Sequence, residues 1–190
     1  MSIELIRRVQ RFRTKSSDIS FPEHIIDFES GNFSISGIKP LHEVMDEIQS
    51  AFVWCWSIKD HLKETLFEKS DESSKNVFNK SFESEIDKYG SLKLCADIAN
   101  TGKHKILNRP PRSGYSVKLD IAQIITVSSE TISKIQRLNG NYFITPKNNK
   151  AVKLKANIVN EHGAVVMDAF RCLDESVAAW IAINSKYSTL

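Results

Sequence analysis

The stretch Ser81–Ser113, SFESEIDKYGSLKLCADIANTGKHKILNRPPRS, decides the fold. Its apolar residues Tyr89, Leu92, Cys95, Ala99 and Ile106 recur at spacings of three, four and seven. That period predicts an amphipathic helix over Ser81–Ile106. Gly90 and Gly102 weaken the helix locally. Pro110 and Pro111 forbid its continuation, so it must end by about Asn108.

Upstream, after Pro40, apolar residues fall at Leu41, Val44, Met45, Ile48, Phe52, Cys55, Leu62 and Leu66. The same period predicts a helix of about 27 residues, with Pro40 near its start where proline is tolerated. The polar segment EKSDESSKN, residues 68–76, reads as a loop and as the mobile tip of the molecule. A short polar connection between two long helices predicts an antiparallel hairpin over 41–110.

Downstream the period changes to two. YSVKLDIAQIITV, 115–127, alternates through Val117, Leu119 and Ile121 and predicts a strand. LNGNYF marks a turn, with a short strand possible at Tyr142–Ile144. VKLKANIVNEHGAVVMDAF, 152–170, predicts a hairpin about NEHG, with Gly163 available for positive φ. CLDESVAAWIAINSK returns to helical spacing through Leu173, Val177, Trp180 and Ile181, predicting a C-terminal helix over 171–187. Residues 1–40 are basic and broken by Ser, Gly and Pro. Ile3–Phe12 reads equally as helix or strand, and Ile25–Phe28 as a short element of either kind. No repeat or low-complexity tract appears. The expected class is α+β. An antiparallel helical bundle carries a small antiparallel β-sheet over 115–170, within one domain spanning 1–190.

With 41% hydrophobic and 26% charged residues the composition fits a globular domain. No apolar run reaches membrane-spanning length. The N-terminus MSIELIRRVQRFRT lacks a signal-peptide pattern, so the cytoplasm is the expected compartment. Cys55, Cys95 and Cys172, odd in number and dispersed, read as reduced buried thiols, with neither a disulfide framework nor a zinc site. A net charge of +3 is well short of a dedicated nucleic-acid binder. The charge is clustered, however, at Arg7, Arg8, Arg11, Arg13 and Lys15, and again at Lys103, Lys105, Arg109 and Arg112. No nucleophile elbow, phosphate loop or dinucleotide glycine pattern is present.

The densest chemistry lies in CADIANTGKH. At helical spacing Asp97, Asn100 and His104 fall within an arc of about 60°, with Lys93 among them. An imidazole there can act as an acid or base, an amide can fix it, and a carboxylate can raise its basicity. Arg109 and Arg112 follow, and guanidinium suits phosphate. A solvated helix face explains the same residues, and the cations also suit a helix C-terminus. Asp60, in WSIKDH, is placed either to pair with Lys103 or His104 or as an ordinary surface carboxylate. Trp54 and Trp56 cannot both face the core of one helix. One must cover a neighbouring element or a partner. His24, His42 and His162 are isolated, and His162 should be exposed in the hairpin turn.

The motif D-I-A-N-x-x-K-H, Asp97–His104, followed by RPP resembles a signature of bacterial proteins of phage, plasmid or cassette origin. Their helical core resembles the HEPN superfamily of RNA-cleaving toxins and phage-defence proteins. The resemblance covers roughly 41–110. It implies a homodimeric bundle that acts on RNA without metal or cofactor. It places Asn100 at the motif's polar position and His104 at its histidine, while Ala99 stands where the arginine belongs. It therefore implies one of two things. In a metal-independent ribonuclease, His104, Asn100 and Lys103 would be catalytic, and Arg109, Arg112, Asp97 and Asp60 would bind or position. Otherwise the chain binds RNA, a nucleotide or an unknown protein partner without turnover.

Overall fold

The computed structural model describes residues 2–17, 25–27, 33–36, 39–69, 74–103 and 110–188. Among them the order is α1 (Ser2–Ser17), β1 (Ile25–Asp27), β2 (Phe33–Ser36), α2 (Leu41–Lys69), α3 (Lys75–Ile86), α4 (Gly90–Lys103), β3 (Val117–Ile125), β4 (Ile132–Leu138), β5 (Asn141–Pro146), β6 (Val152–Asn160), β7 (Val165–Asp168) and α5 (Ala169–Ser188). The class is α+β. The chain divides into two compact units, residues 1–13, 48–120 and 156–190 in the first and 14–47 and 121–155 in the second.

The first unit is helical at its core. The period seen in the sequence puts Ile48, Phe52, Cys55, Ile58, Leu62 and Leu66 of α2 inside. On α5 it buries Cys172, Leu173, Trp180 and Ile183. Each such Leu, Ile or Phe contributes about 1.5–3 kcal/mol over its exposed state. Phe78 of α3 stacks on Phe82 at 5.8 Å between ring centroids and meets the edge of Tyr187 at 5.8 Å. At the start of α2, Leu41 and Met45 are exposed, contrary to their place in the predicted stripe.

The helix predicted over Ser81–Ile106 is two helices. α3 ends at Ile86, where the amides of Lys88 and Tyr89 donate to the carbonyls of Glu85 and Ile86, three residues back. These bonds tighten the last turn and end it. The Lys93 amide then donates to Tyr89 and opens α4. Gly90 is a poor helix former and stands at the join. α4 also departs from a one-sided stripe. Leu92, Leu94, Cys95, Ala96, Asp97, Ile98 and Ala99 are all buried, so it is a central helix, not a half-wet one.

The expected single antiparallel sheet is two sheets. The second unit holds a four-stranded one of order β1-β2-β5-β4. β1–β2 and β4–β5 are antiparallel, but β2 and β5 are parallel, with Ile35 beside Ile144. β2 and β5 are remote in sequence, and period-two patterning does not fix the direction in which such strands pair. Asn139 and Gly140, both at positive φ, make the two-residue turn that joins β4 to β5. Ile35, Ile132, Ile144, Ala151 and Val152 form the apolar core of this unit, with Ile125 against it. The other sheet has the order β3-β6-β7. Its β6–β7 hairpin is the one the NEHG turn predicts, pairing Asn157 with Asp168 and Ile158 with Met167.

Candidate functional site

Asp97 is 3% exposed, on the second turn of α4. Its carboxylate accepts the backbone amides of Arg112 at 2.7 Å and Ser113 at 2.8 Å. The preceding Pro110 and Pro111 carry no amide hydrogen, so these are the first two donors after the proline stop. One carboxylate thus fixes the returning chain against the central helix. The Gly114 amide closes a turn on the Pro111 carbonyl at 3.1 Å.

The Arg112 side chain extends the same clamp. Its Nε donates to Asp87 Oδ1 at 2.7 Å, and its terminal nitrogen to Glu83 Oε2 at 2.7 Å. The guanidinium lies 5.4 Å from the centroid of Trp56. Lys59 adds a second cation, 3.2 Å from Glu83 and 5.0 Å from the same ring. Trp56 in turn packs on Trp180 at 6.1 Å, and the buried Trp180 indole N–H donates to the Cys55 carbonyl at 3.0 Å. Burial works to raise the Glu83 pKa, but the bonds and charges of Arg112 and Lys59 outweigh it and hold the carboxyl below its ordinary value. Burial likewise opposes the charged form of Arg112, and Asp87 and Glu83 more than restore it.

Of the other candidate residues, Asn100 is half-buried on the last full turn of α4 and Asp60 is exposed on α2. The Lys103 backbone ends α4. The Lys103 side chain, His104 and Arg109 lie outside the described residues. The structure therefore brings Asp97 together with Arg112, through the backbone of the latter. Ala99, at the arginine position of the motif, is fully buried. The Ile98 carbonyl beside it is held by Gln49 at 2.7 Å and Thr101 at 2.9 Å.

The residues that sequence reading missed are Glu83, Asp87, Lys59 and the role of Trp56. Glu83 and Asp87 stand four apart on the C-terminal turn of α3, a spacing that presents two carboxylates on one face. Asp87 by itself is unfavourable at a helix C-terminus, and the facing arginine offsets that. Both tryptophans are half-buried and covered. Trp56 has the contacts above, and Arg8 lies 5.6 Å from the Trp54 ring. The N-terminal basic cluster is partly spent on structure too. Arg13 forks onto Asp174 of α5 at 2.8 and 2.9 Å, and Arg11 pairs with Glu4 at 2.7 Å.

Cys55, Cys95 and Cys172, dispersed in sequence, converge in the core as free buried thiols. Burial, then the neighbouring Cys55 thiol, pushes Cys172 up to about 12 and Cys95 well above its ordinary value. Among the described residues no three His, Cys, Asp or Glu side chains are grouped to hold a metal ion. His162 is exposed in the β6–β7 turn, 3.5 Å from Glu161. No described helix is long and apolar enough to cross a membrane. No protein-family model matches the chain, and no curated protein or solved structure does either.

Proposed function

We propose that the chain is an RNA- or nucleotide-binding module that works without turnover, with the end of α4 and the residues that follow it as one binding element. The observation that carries this reading is the use to which Asp97 and Arg112 are put. The carboxylate is taken up by two backbone amides, and the guanidinium by two carboxylates. Neither is left to raise the basicity of an imidazole or to neutralise a reacting phosphate. An arginine side chain at the position of Ala99 would meet a packed interior, not a ligand.

A clamped Pro110–Ser113 segment instead fixes where the chain returns after α4. It ties Asp97, which precedes Lys103, His104 and Arg109 in the sequence, to Arg112 and Ser113, which follow them. HEPN-like membership, a homodimer, the cytoplasm and a phage-defence or toxin–antitoxin setting belong to the same proposal. Fluorescence anisotropy with labelled single-stranded RNA, structured RNA and mononucleotides tests it. The expected result is saturable binding that weakens with Arg109→Ala while the RNA stays intact. Intact RNA with no binding of any probe would defeat the reading. Metal-independent cleavage lost in His104→Ala would put the ribonuclease reading in its place.

A further inference from the structure

The four-stranded sheet of the second unit ends on β4. Ile35, Ile144 and Ile135 stand directly beside one another across β2, β5 and β4, and so share one face. Their exposures are 2%, 6% and 52%. The apolar row that runs through the core of this unit therefore continues onto the last strand and stops there half-covered. On the opposite face of β4, Leu138 is 56% exposed. The irregularity in the β4–β5 pairing lies between Ile132 and Lys134, so Lys134–Leu138 is regular strand.

The turn fixes which backbone groups of that strand are free. Across the two-residue turn at Asn139 and Gly140, Leu138 and Asn141 are bonded to each other. Alternation along an antiparallel pair then turns the backbone of Gln136 and Lys134 toward β5 as well. It leaves the N–H and C=O groups of Ile135 and Arg137 pointing outward, with no further strand beside them among the described residues. Such an edge offers donors and acceptors in turn and is a template for another strand.

Charge decides what kind of strand fits. Lys134 and Arg137 are both exposed on β4, Arg137 on the Ile135 face beside the Tyr142 ring and Lys134 on the other. Residues 131–155, which carry β4 and β5, hold six Lys and Arg and no Asp or Glu. A second copy of β4 would double the cations at the edge without adding an acid, and like charges across an interface cost affinity. A phosphate backbone suits the cations, but phosphates only accept, so the outward carbonyls would go unmet. An extended acidic peptide meets both conditions. Its main chain donates and accepts, and its carboxylates face the cations.

We infer that the outer edge of β4 docks an extended acidic peptide as a further strand of the sheet, with an apolar side chain beside Ile135 and a carboxylate beside Lys134. The inference stands whether or not the end of α4 touches RNA. The full-length protein is titrated with a labelled peptide of alternating Val and Glu, read by fluorescence anisotropy. Saturable binding is expected. Lys134→Glu changes an exposed side chain only. It should weaken this binding about tenfold or more and create affinity for a peptide of alternating Val and Lys. Two N-methylated peptides, one methylated at every Val and one at every Glu, each lose the N–H groups of one edge. One should fail to bind wild-type protein, and the other should bind as the parent does. Equal binding by both would overturn the inference, because charge alone would then hold the peptide. So would wild-type affinity in Lys134→Glu. A dimer in sedimentation that Ile135→Pro dissociates, with no peptide bound, would give the edge to a second copy instead. Single-stranded RNA whose binding Lys134→Glu abolishes, again with no peptide bound, would give it to nucleic acid.

Discussion

At the scale of the residue, Asp97 shows how far side-chain identity can mislead without burial. Its spacing from Asn100 and His104 was legible, and so was the proline stop. That its carboxylate would meet the first two amides past that stop was not. The contact is made by backbone atoms 15 and 16 residues away, and helical spacing carries no information about them. Removing the acceptor leaves two amides unsatisfied next to a buried helix. Asp97→Ala should therefore destabilise by about 2–3 kcal/mol in urea unfolding, with faster hydrogen exchange at Arg112 and Ser113. The pairing of Glu83 gives a pH dependence. A carboxyl lowered in the folded state contributes stability above its unfolded value, 4.5, and loses it as pH falls through the lower folded value. Unfolding free energies of wild type should drop below about pH 4.5, and Glu83→Gln should show a shallower drop. An equal drop in both would remove Glu83 from the account. The thiols were read correctly as buried. Because burial raises Cys95 and Cys172, the thiolate is scarce, and a thiol reagent at pH 8 should label none of the three until denaturant is added.

At the scale of the element, periodicity located α2, α5, β3 and the β6–β7 hairpin. It missed the break between α3 and α4, because two consecutive helices can share one apolar spacing. It left α1 undecided and missed β4. β4 is exposed at every residue after Ile132, so no alternation of buried and exposed positions marks it. Two of the glycines at turns and joins, Gly163 and Gly90, differ in their roles. Gly163 sits at φ 78°, where the Asn160 side chain accepts the amides of His162 and Ala164 around it. Gly163→Ala should cost about 1–2 kcal/mol. Gly90 opens α4 without positive φ, and an added Cβ there meets nothing within 4 Å. Gly90→Ala should stabilise by about 0.5–1 kcal/mol, measured in the same urea assay. The opposite signs are the test, since a common sign would mean that one of the two backbone conformations is misassigned.

At the scale of the whole molecule, the order of helical and period-two segments pointed to the α+β class, and net charge understated the polarity of the chain. A value of +3 conceals a β-rich stretch that is strongly basic and a remainder that is slightly acidic. Which cations are neutralised depends on long-range partners, such as Arg13 with Asp174, that no local pattern reveals. The same limit applied to the motif at the end of α4. Its residue types suggested chemistry, while packing has given two of its charged groups to architecture. The account therefore rests on binding without turnover. The measurement that tests it most directly is the fraction of labelled RNA cleaved by excess wild-type protein in EDTA, beside folded His104→Ala. The account predicts intact RNA in both samples while the wild-type protein remains bound to it. Cleavage by wild type that persists in EDTA and vanishes in His104→Ala would contradict it.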